Sequence, residues 1–313
     1  MTNAIAEAFA PASAANLGVG FDIIGLALRE PGDVVRAEYR LEPGVVIGKI
    51  EGDGGKLPLE TACNTAGVAA QSVLKKVGVA HGVRLTVQKN LPLGSGLGSS
   101  AASAVAGAVA VNALLGEPLS RAELLAPALD GEAVASGYHP DNVGPSLFGG
   151  ITLFTAANAE SMTRLPVPHN LYLALVTPDI VVNTADARAV LPEQVSMKAM
   201  IHQTGAVAKL VDALHRGDIR AVGAATERDT VVEPARKHLM PLFDKVRETV
   251  HEHGGLGLSI SGAGPTLMGV CDSLEIARDL AGRMAAVYAA AGVTSVGRYG
   301  DVCPDGARVL VVK

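Results

Sequence analysis

Hydrophobic positions repeat along the chain with two different periods. Val83, Leu85 and Val87 alternate with Arg84, Thr86 and Gln88, a period of two that predicts a half-buried strand ending at Lys89. Residues 100–115 are mostly Ala and Val, the pattern of a buried helix, with Gly116 and Pro118 as stop signals. Ser120 and Glu123 have the spacing of a capping box, so another helix is expected over about 121–135. The polar stretch SGYHPDNVGPS, residues 136–146, reads as turns, and 151–155 as a strand. Residues 158–170, with Pro166 and Pro168, read as a loop, and 171–176 as a buried strand. Helices are expected over 197–215 and 236–253, and strands over 256–260 and 266–270 around a glycine-rich turn. The segment Asp272 to Glu275 caps a helix running to about 290, and 309–312 forms a last strand. Helices and strands alternate without a fixed-period repeat, which places the chain in a mixed α and β class.

A length of 313 residues suggests two domains at about 150 residues each. The loop near 160 is the expected boundary, dividing the chain into 1–160 and 161–313. With 49% hydrophobic and 18% charged residues the chain is globular. With no Trp and 3% aromatics, its core must be built from Val, Leu, Ile and Ala. A net charge of −5 argues against general nucleic-acid binding, which needs a basic footprint. Cys63, Cys271 and Cys303 are far apart and form no CxxC pair. That speaks against a disulfide framework or a zinc site and for reduced thiols in the cytoplasm. The first residues, MTNAIAEAFAPAS, lack a basic leader and carry Glu7, so no secretory signal is expected. No apolar run reaches the roughly 18 residues of a membrane span.

Three constellations could carry chemistry. The first is PLGSGLGSS, from Pro92 to Ser100, between the strand and the buried helix. Amides at a helix start are unsatisfied and partly positive, and glycines let them approach an anion without a Cβ in the way. Gly94, Gly96 and Gly98 alone would equally serve a tight connection; Ser99 and Ser100 favour phosphate, with hydroxyls that could reach phosphate or Mg²⁺. The spacing is GxGxG. It is not a Walker A loop, which needs Lys-Ser/Thr, and not the GxGxxG of a dinucleotide-binding oxidoreductase. The second constellation is Glu132, Asp141 and Asn142, whose oxygens are hard ligands that suit Mg²⁺ but which would equally serve as a solvated helix residue and turn residues, with His139 beside them as a lining candidate. The third is SISGAGPT, from Ser259 to Thr266, either a plain hairpin turn or a loop packed against a ligand. Asn16 and Asp22 stand among glycines in NLGVGFD, and Arg188 and Arg236 could bind carboxylate or phosphate bidentately.

Taken together, three motifs in order resemble the GHMP kinases, a group of small-molecule kinases. They are PASAANLGVGFD (Pro11 to Asp22), PLGSGLGSSAA (Pro92 to Ala102) and SGAGPT (Ser261 to Thr266). Within that family ANLGVGFD, SGYHPDNVGPSLFGG and TADARAVLP (Thr184 to Pro192) resemble the branch whose acceptor is L-homoserine. Mevalonate-type members carry a catalytic Asp and Lys that have no counterpart in matching context here; Asn142 falls near the Asp position. Another family member, acting on a different small alcohol such as mevalonate, is the alternative.

The resemblance implies an α+β fold of two domains, one like domain 2 of ribosomal protein S5 and one ferredoxin-like, with the site in the cleft between them. It implies ATP-dependent phosphorylation of the homoserine hydroxyl on the route to threonine, with Mg²⁺, no nucleic-acid or membrane partner, and room for a homodimer. Lys89, Pro92, Leu93, Gly94, Ser95, Gly96, Leu97, Gly98, Ser99 and Ser100 would form the nucleotide site. Ser100 and Glu132 would hold the metal. Asn16, Asp22, His139, Asp141, Thr184, Arg188, Arg236, Gly262, Ala263 and Gly264 would line the acceptor site, with Asp22, Lys89 and Asn142 closest to the chemistry. A nucleotide-binding protein without activity would be free to lose Ser100, Glu132 and Asp22, and all three are present.

Overall fold

The computed structural model describes residues 4–313; residues 1–3, part of the segment expected to carry no secretory signal, lie outside it. The chain opens with the long strands β1 (Ile5–Ala15) and β2 (Ile24–Arg40) and with β3 (Gly44–Glu51). Then come α1 (Thr65–Val77), β4 (Gly82–Gln88), α2 (Ser99–Leu114), α3 (Arg121–Ala133), α4 (Pro140–Phe148), β5 (Ile151–Phe154) and β6 (Met162–Leu165). The second part contains β7 (Tyr172–Pro178), α5 (Thr184–Ala189), α6 (Met197–Arg216), α7 (Ile219–Thr226), α8 (Val232–Arg236) and α9 (Phe243–Glu252). It continues through β8 (Gly257–Ile260), β9 (Leu267–Cys271), α10 (Leu274–Ala290) and β10 (Ser295–Asp301), and the chain ends with β11 (Arg308–Val312).

Two sheets result. The first has the order β11-β1-β2-β4-β3, with β5 paired to β2 and β6 to β5. The second has the order β10-β7-β9-β8, antiparallel throughout. In chain order it reads strand, helices, two strands, helix, strand, which is the split βαβ arrangement of ferredoxin-like domains.

The expected division at 160 cuts through the β5–β6 hairpin, because Met162–Leu165 pair with Phe154–Ile151. The crossing to the second sheet falls between Leu165 and Tyr172, and β11 returns to pair with β1.

Helix α2 explains the alanine-rich run. From Ala101 to Ala113 every residue is buried, so no polar face exists and small side chains are needed on all sides. Around it pack the aliphatic side chains of the first sheet, such as Ile24, Leu26, Leu85 and Val87. Each such fully buried side chain contributes roughly 1.5–3 kcal/mol of transfer free energy. The capping box at Ser120 and Glu123 is present.

Two expectations fail. The polar stretch after Ser136 is not all turn, since α4 starts at Pro140 with proline in its first turn, where the missing N–H costs nothing. The helix expected over 236–253 is broken: α8 ends at Arg236, a 3₁₀ turn follows, and α9 starts after Pro241.

Candidate active site

A cleft of about 700 Å³ lies between the sheets, lined by residues of both. One wall is the loop before α2. Gly94, Gly96 and Gly98 all have positive φ, at 62°, 77° and 62°. Two of these positions leave no room for a side chain. A Cβ on Gly98 would stand 2.0 Å from Ser13 Oγ, and one on Gly96 would stand 2.4 Å from the Ser261 carbonyl.

Asn64 caps α1 and Ser120 caps α3 by accepting backbone N–H bonds, but no side chain caps α2. Among the described residues its first-turn amides meet no capping side chain, and they stand at the positive end of the helix dipole. Leu93, Gly94, Ser95, Gly96, Gly98, Ser99 and Ser100 line the cleft. Leu97 is instead fully buried, and its carbonyl accepts the Ser13 amide; Pro92 is not on the cleft wall either.

Lys89 also lines the cleft, but its charge is already paired. Its ammonium donates to Asp33 Oδ2, to the Ser99 carbonyl at 2.8 Å and to Ser103 Oγ at 2.8 Å, so all three donors are committed. Burial pushes its pKa down, and the paired Asp33 opposes that. Asp33 also accepts the amides of Asn90 and Leu91. The pair braces the floor of the loop and is not a free cation facing phosphate.

On the next wall Ser100 Oγ donates to Glu132 Oε1 at 2.9 Å, and Ser136 Oγ donates to the same oxygen at 2.6 Å. Glu132 Oε2 is buried without a hydrogen-bond partner among the described residues. Burial pushes the Glu132 carboxyl up to about 7.

The opposite end of the cleft collects polar side chains from four elements. After β1 the backbone turns through positive φ at Asn16 and again at Asp22. Asn16 Oδ1 accepts the Asp22 amide, and its Nδ2 donates to the Gly262 carbonyl at 2.9 Å. Arg188, from α5, donates through Nη2 to Asp22 Oδ1 and Oδ2 at 2.8 and 2.9 Å and to His139 Nδ1 at 3.1 Å. His139 Nε2 lies 2.6 Å from the Ser136 carbonyl, so Nε2 carries the proton and Nδ1 accepts.

Arg236 is 3% exposed, donates to the Ala187 and Gly262 carbonyls, and pairs with no carboxylate among the described residues. Asp141 is 2% exposed and pairs with no cation among them. Burial, then the nearby Asp22 charge, push its carboxyl up to about 7. Asn142 Oδ1 accepts Ser13 Oγ at 3.0 Å, between the glycine loop and this end. Thr184, Gly262, Ala263 and Gly264 also line the cleft.

The second glycine turn is tied to the first: Ser261 Oγ donates to the Gly96 carbonyl at 2.7 Å, and the Thr266 amide to that of Ser95.

Two sequence profiles match the chain, "GHMP kinases N terminal domain" over residues 64–150 and "GHMP kinases C terminal" over 210–290. A homoserine kinase of Chloroherpeton thalassium is 37% identical over 314 residues, covering 96% of this chain and 98% of its own. A homoserine kinase of Xylella fastidiosa is 39% identical over 306 residues, covering 97% and 94%.

The chain belongs to the GHMP kinase family.

The crystal structure of a homoserine kinase from Cytophaga hutchinsonii has a TM-score of 0.94 at 38% identity, covering 98% of this chain and 97% of that one. A mevalonate kinase from L. major, in complex with R-mevalonate, shares the GHMP kinase fold at a TM-score of 0.71 and 19% identity.

Several lining or bracing residues escaped sequence reading. Ser13, Phe21, Asp33, Ser103 and Ser136 carry no local signal of their own. Three of them lie inside motif stretches, Ser13 in PASAANLGVGFD, Phe21 in NLGVGFD and Ser136 in SGYHPDNVGPS, but only as neighbours of the residues that carry the pattern.

Proposed function

We propose that this chain transfers the γ-phosphoryl group of ATP to the side-chain hydroxyl of L-homoserine, giving O-phospho-L-homoserine and ADP. One observation carries the reading within the family: the cleft holds a buried arginine without a carboxylate, Arg236, and a buried carboxyl without a cation, Asp141. An α-amino acid brings both missing charges, its carboxylate for Arg236 and its ammonium for Asp141. Mevalonate brings a carboxylate and no ammonium, so Asp141 favours the amino acid. The full-length likeness to homoserine kinases supports the same choice.

The uncapped amides of α2 and the glycine loop hold the nucleotide phosphates. The unpartnered Glu132 Oε2 and the Ser100 hydroxyl fit a hard divalent cation, so these two residues would hold Mg²⁺. When bound, Mg²⁺ supplies charge neutralisation for the phosphates. The homoserine hydroxyl oxygen bonds to the γ-phosphorus as the bond to the β,γ-bridging oxygen breaks and ADP leaves.

Asp22, held through both oxygens by Arg188, accepts the hydrogen bond of that hydroxyl and sets its direction. In a loose transition state the proton leaves late, so orientation suffices and the proton passes to an oxygen of the transferred phosphoryl group; the alternative is that Asp22 takes it as a general base.

The test is ADP release with MgATP and, in turn, L-homoserine, mevalonate, phosphomevalonate and shikimate. Saturable turnover with homoserine alone is expected. Turnover with mevalonate and none with homoserine would replace this reading by the alternative.

A further inference from the structure

We propose that Phe21 is a positioning and specificity-determining residue, an aromatic platform that holds both arginines of the acceptor site in place. This rests on the reading of the cleft as a homoserine site. The guanidinium carbons of Arg188 and Arg236 lie 5.6 and 5.0 Å from the Phe21 ring centroid. Both distances fall within the range of cation–π attraction. Two guanidinium groups on one ring are like charges, and each disfavours the other; after burial, Arg188 is the largest influence lowering the pKa of Arg236. Asp22 takes up the charge of Arg188, and the negative face of the ring steadies Arg236 without a second carboxylate, which would neutralise the cation needed for substrate.

The ring has a seat of its own. Phe21 alone among the described residues lines both the catalytic cleft and a second cavity of about 540 Å³, walled by apolar side chains such as Val19, Ile23, Val207 and Val232. The loop carrying it is fixed at the next residue, where the Asp22 amide donates to Asn16 Oδ1 and the Asp22 carboxylate accepts from Arg188. One dipeptide thus supplies the ring on which both arginines rest and the carboxylate that takes one of them. The platform acts on the acceptor's carboxylate end and leaves the nucleotide end alone.

The experiment compares wild type, Phe21→Leu and Phe21→Tyr in steady-state kinetics with L-homoserine and with 3-aminopropan-1-ol, the same acceptor without its carboxylate. Leucine fills the apolar seat without a ring, and Tyr keeps the ring. The KM of Phe21→Leu for homoserine should rise about tenfold, with kcat and the KM for ATP changed less than about threefold. Phe21→Tyr should return the homoserine KM to within about twofold of wild type. With 3-aminopropan-1-ol, kcat/KM should be the same in wild type and Phe21→Leu.

An unchanged homoserine KM in Phe21→Leu, an equal loss for both acceptors, or an equal rise in the KM for ATP would overturn the assignment while the homoserine reading stands. A wild type that turns over no homoserine overturns that reading and this assignment with it.

Discussion

At Asp141, stability and function pull in opposite directions. Its carboxyl is pushed from 3.8 to about 7, by burial first and then by the charge of Asp22. Between about pH 4 and pH 7 the folded chain keeps a proton that the unfolded chain has released. Its stability therefore falls as pH rises through that window and levels off above it. Glu132, raised to about 7 by burial, acts in the same direction. Asp141→Asn should leave the calorimetric Tm near that of wild type at pH 4 and raise it by roughly a few degrees at pH 8. The same variant should raise the KM for homoserine. An equal gain in Tm at both pH values would contradict the account.

Arg236→Leu should raise the homoserine KM by on the order of thirtyfold, with a smaller loss in kcat. Asp22→Asn should mainly lower kcat, by about tenfold or more. Unchanged homoserine saturation in the first, or full turnover in the second, would remove that residue from its role. Asn16 and Asp22 stand out in the sequence because polar groups among glycines are poor choices for a plain core, whereas Asp141 after Pro140 reads locally as a turn residue and enters only through the family resemblance. Asp33, Ser103 and Ser136 do not stand out, since only the fold brings Asp33 to Lys89 and Ser136 to Glu132.

Among the elements, α2 was the most legible. Its run of small apolar residues, its stop signals and the strand before it are all local features, and the structure places each within a residue or two. Helix α4 was hidden because proline, aspartate and asparagine suit a helix's first turn as well as a loop. Strand β1 sets Ala6, Ala8, Ala10, Ala12 and Ala14 at a period of two, but alanine is a weak strand former, and in β2 the pattern is interrupted by Gly25, Pro31 and Gly32. The glycine loop makes the sharpest prediction at this scale. Gly98→Ala places a Cβ against Ser13 Oγ on a left-handed backbone. The KM for ATP should rise about tenfold, and Ser13→Ala in the same chain, which removes the clashing oxygen, should recover part of it. Wild-type ATP saturation in Gly98→Ala would mean that this loop does not grip the nucleotide.

At the level of the whole molecule, the class and the two-part organisation followed from the alternation of elements and the chain length, but the division point did not. A strand's sequence does not say which sheet it joins, so neither β6 nor the return of β11 could be read from local pattern. The same holds for the cleft. Its walls come from residues more than 200 apart in sequence, as when Asn16 Nδ2 meets the Gly262 carbonyl. The three motifs named its parts, and folding supplies the distances. What the assembled cleft offers is a glycine loop with the uncapped start of α2 at one end and, at the other, a buried arginine and a buried carboxyl that form no ion pair among the described residues. The direct measurement is phosphorus NMR of the protein with MgATP and L-homoserine. The account predicts one new phosphomonoester resonance, coupled to the protons of a single CH₂ group and growing in step with ADP. Inorganic phosphate growing in its place, or ATP left intact by a well-folded sample, would contradict it.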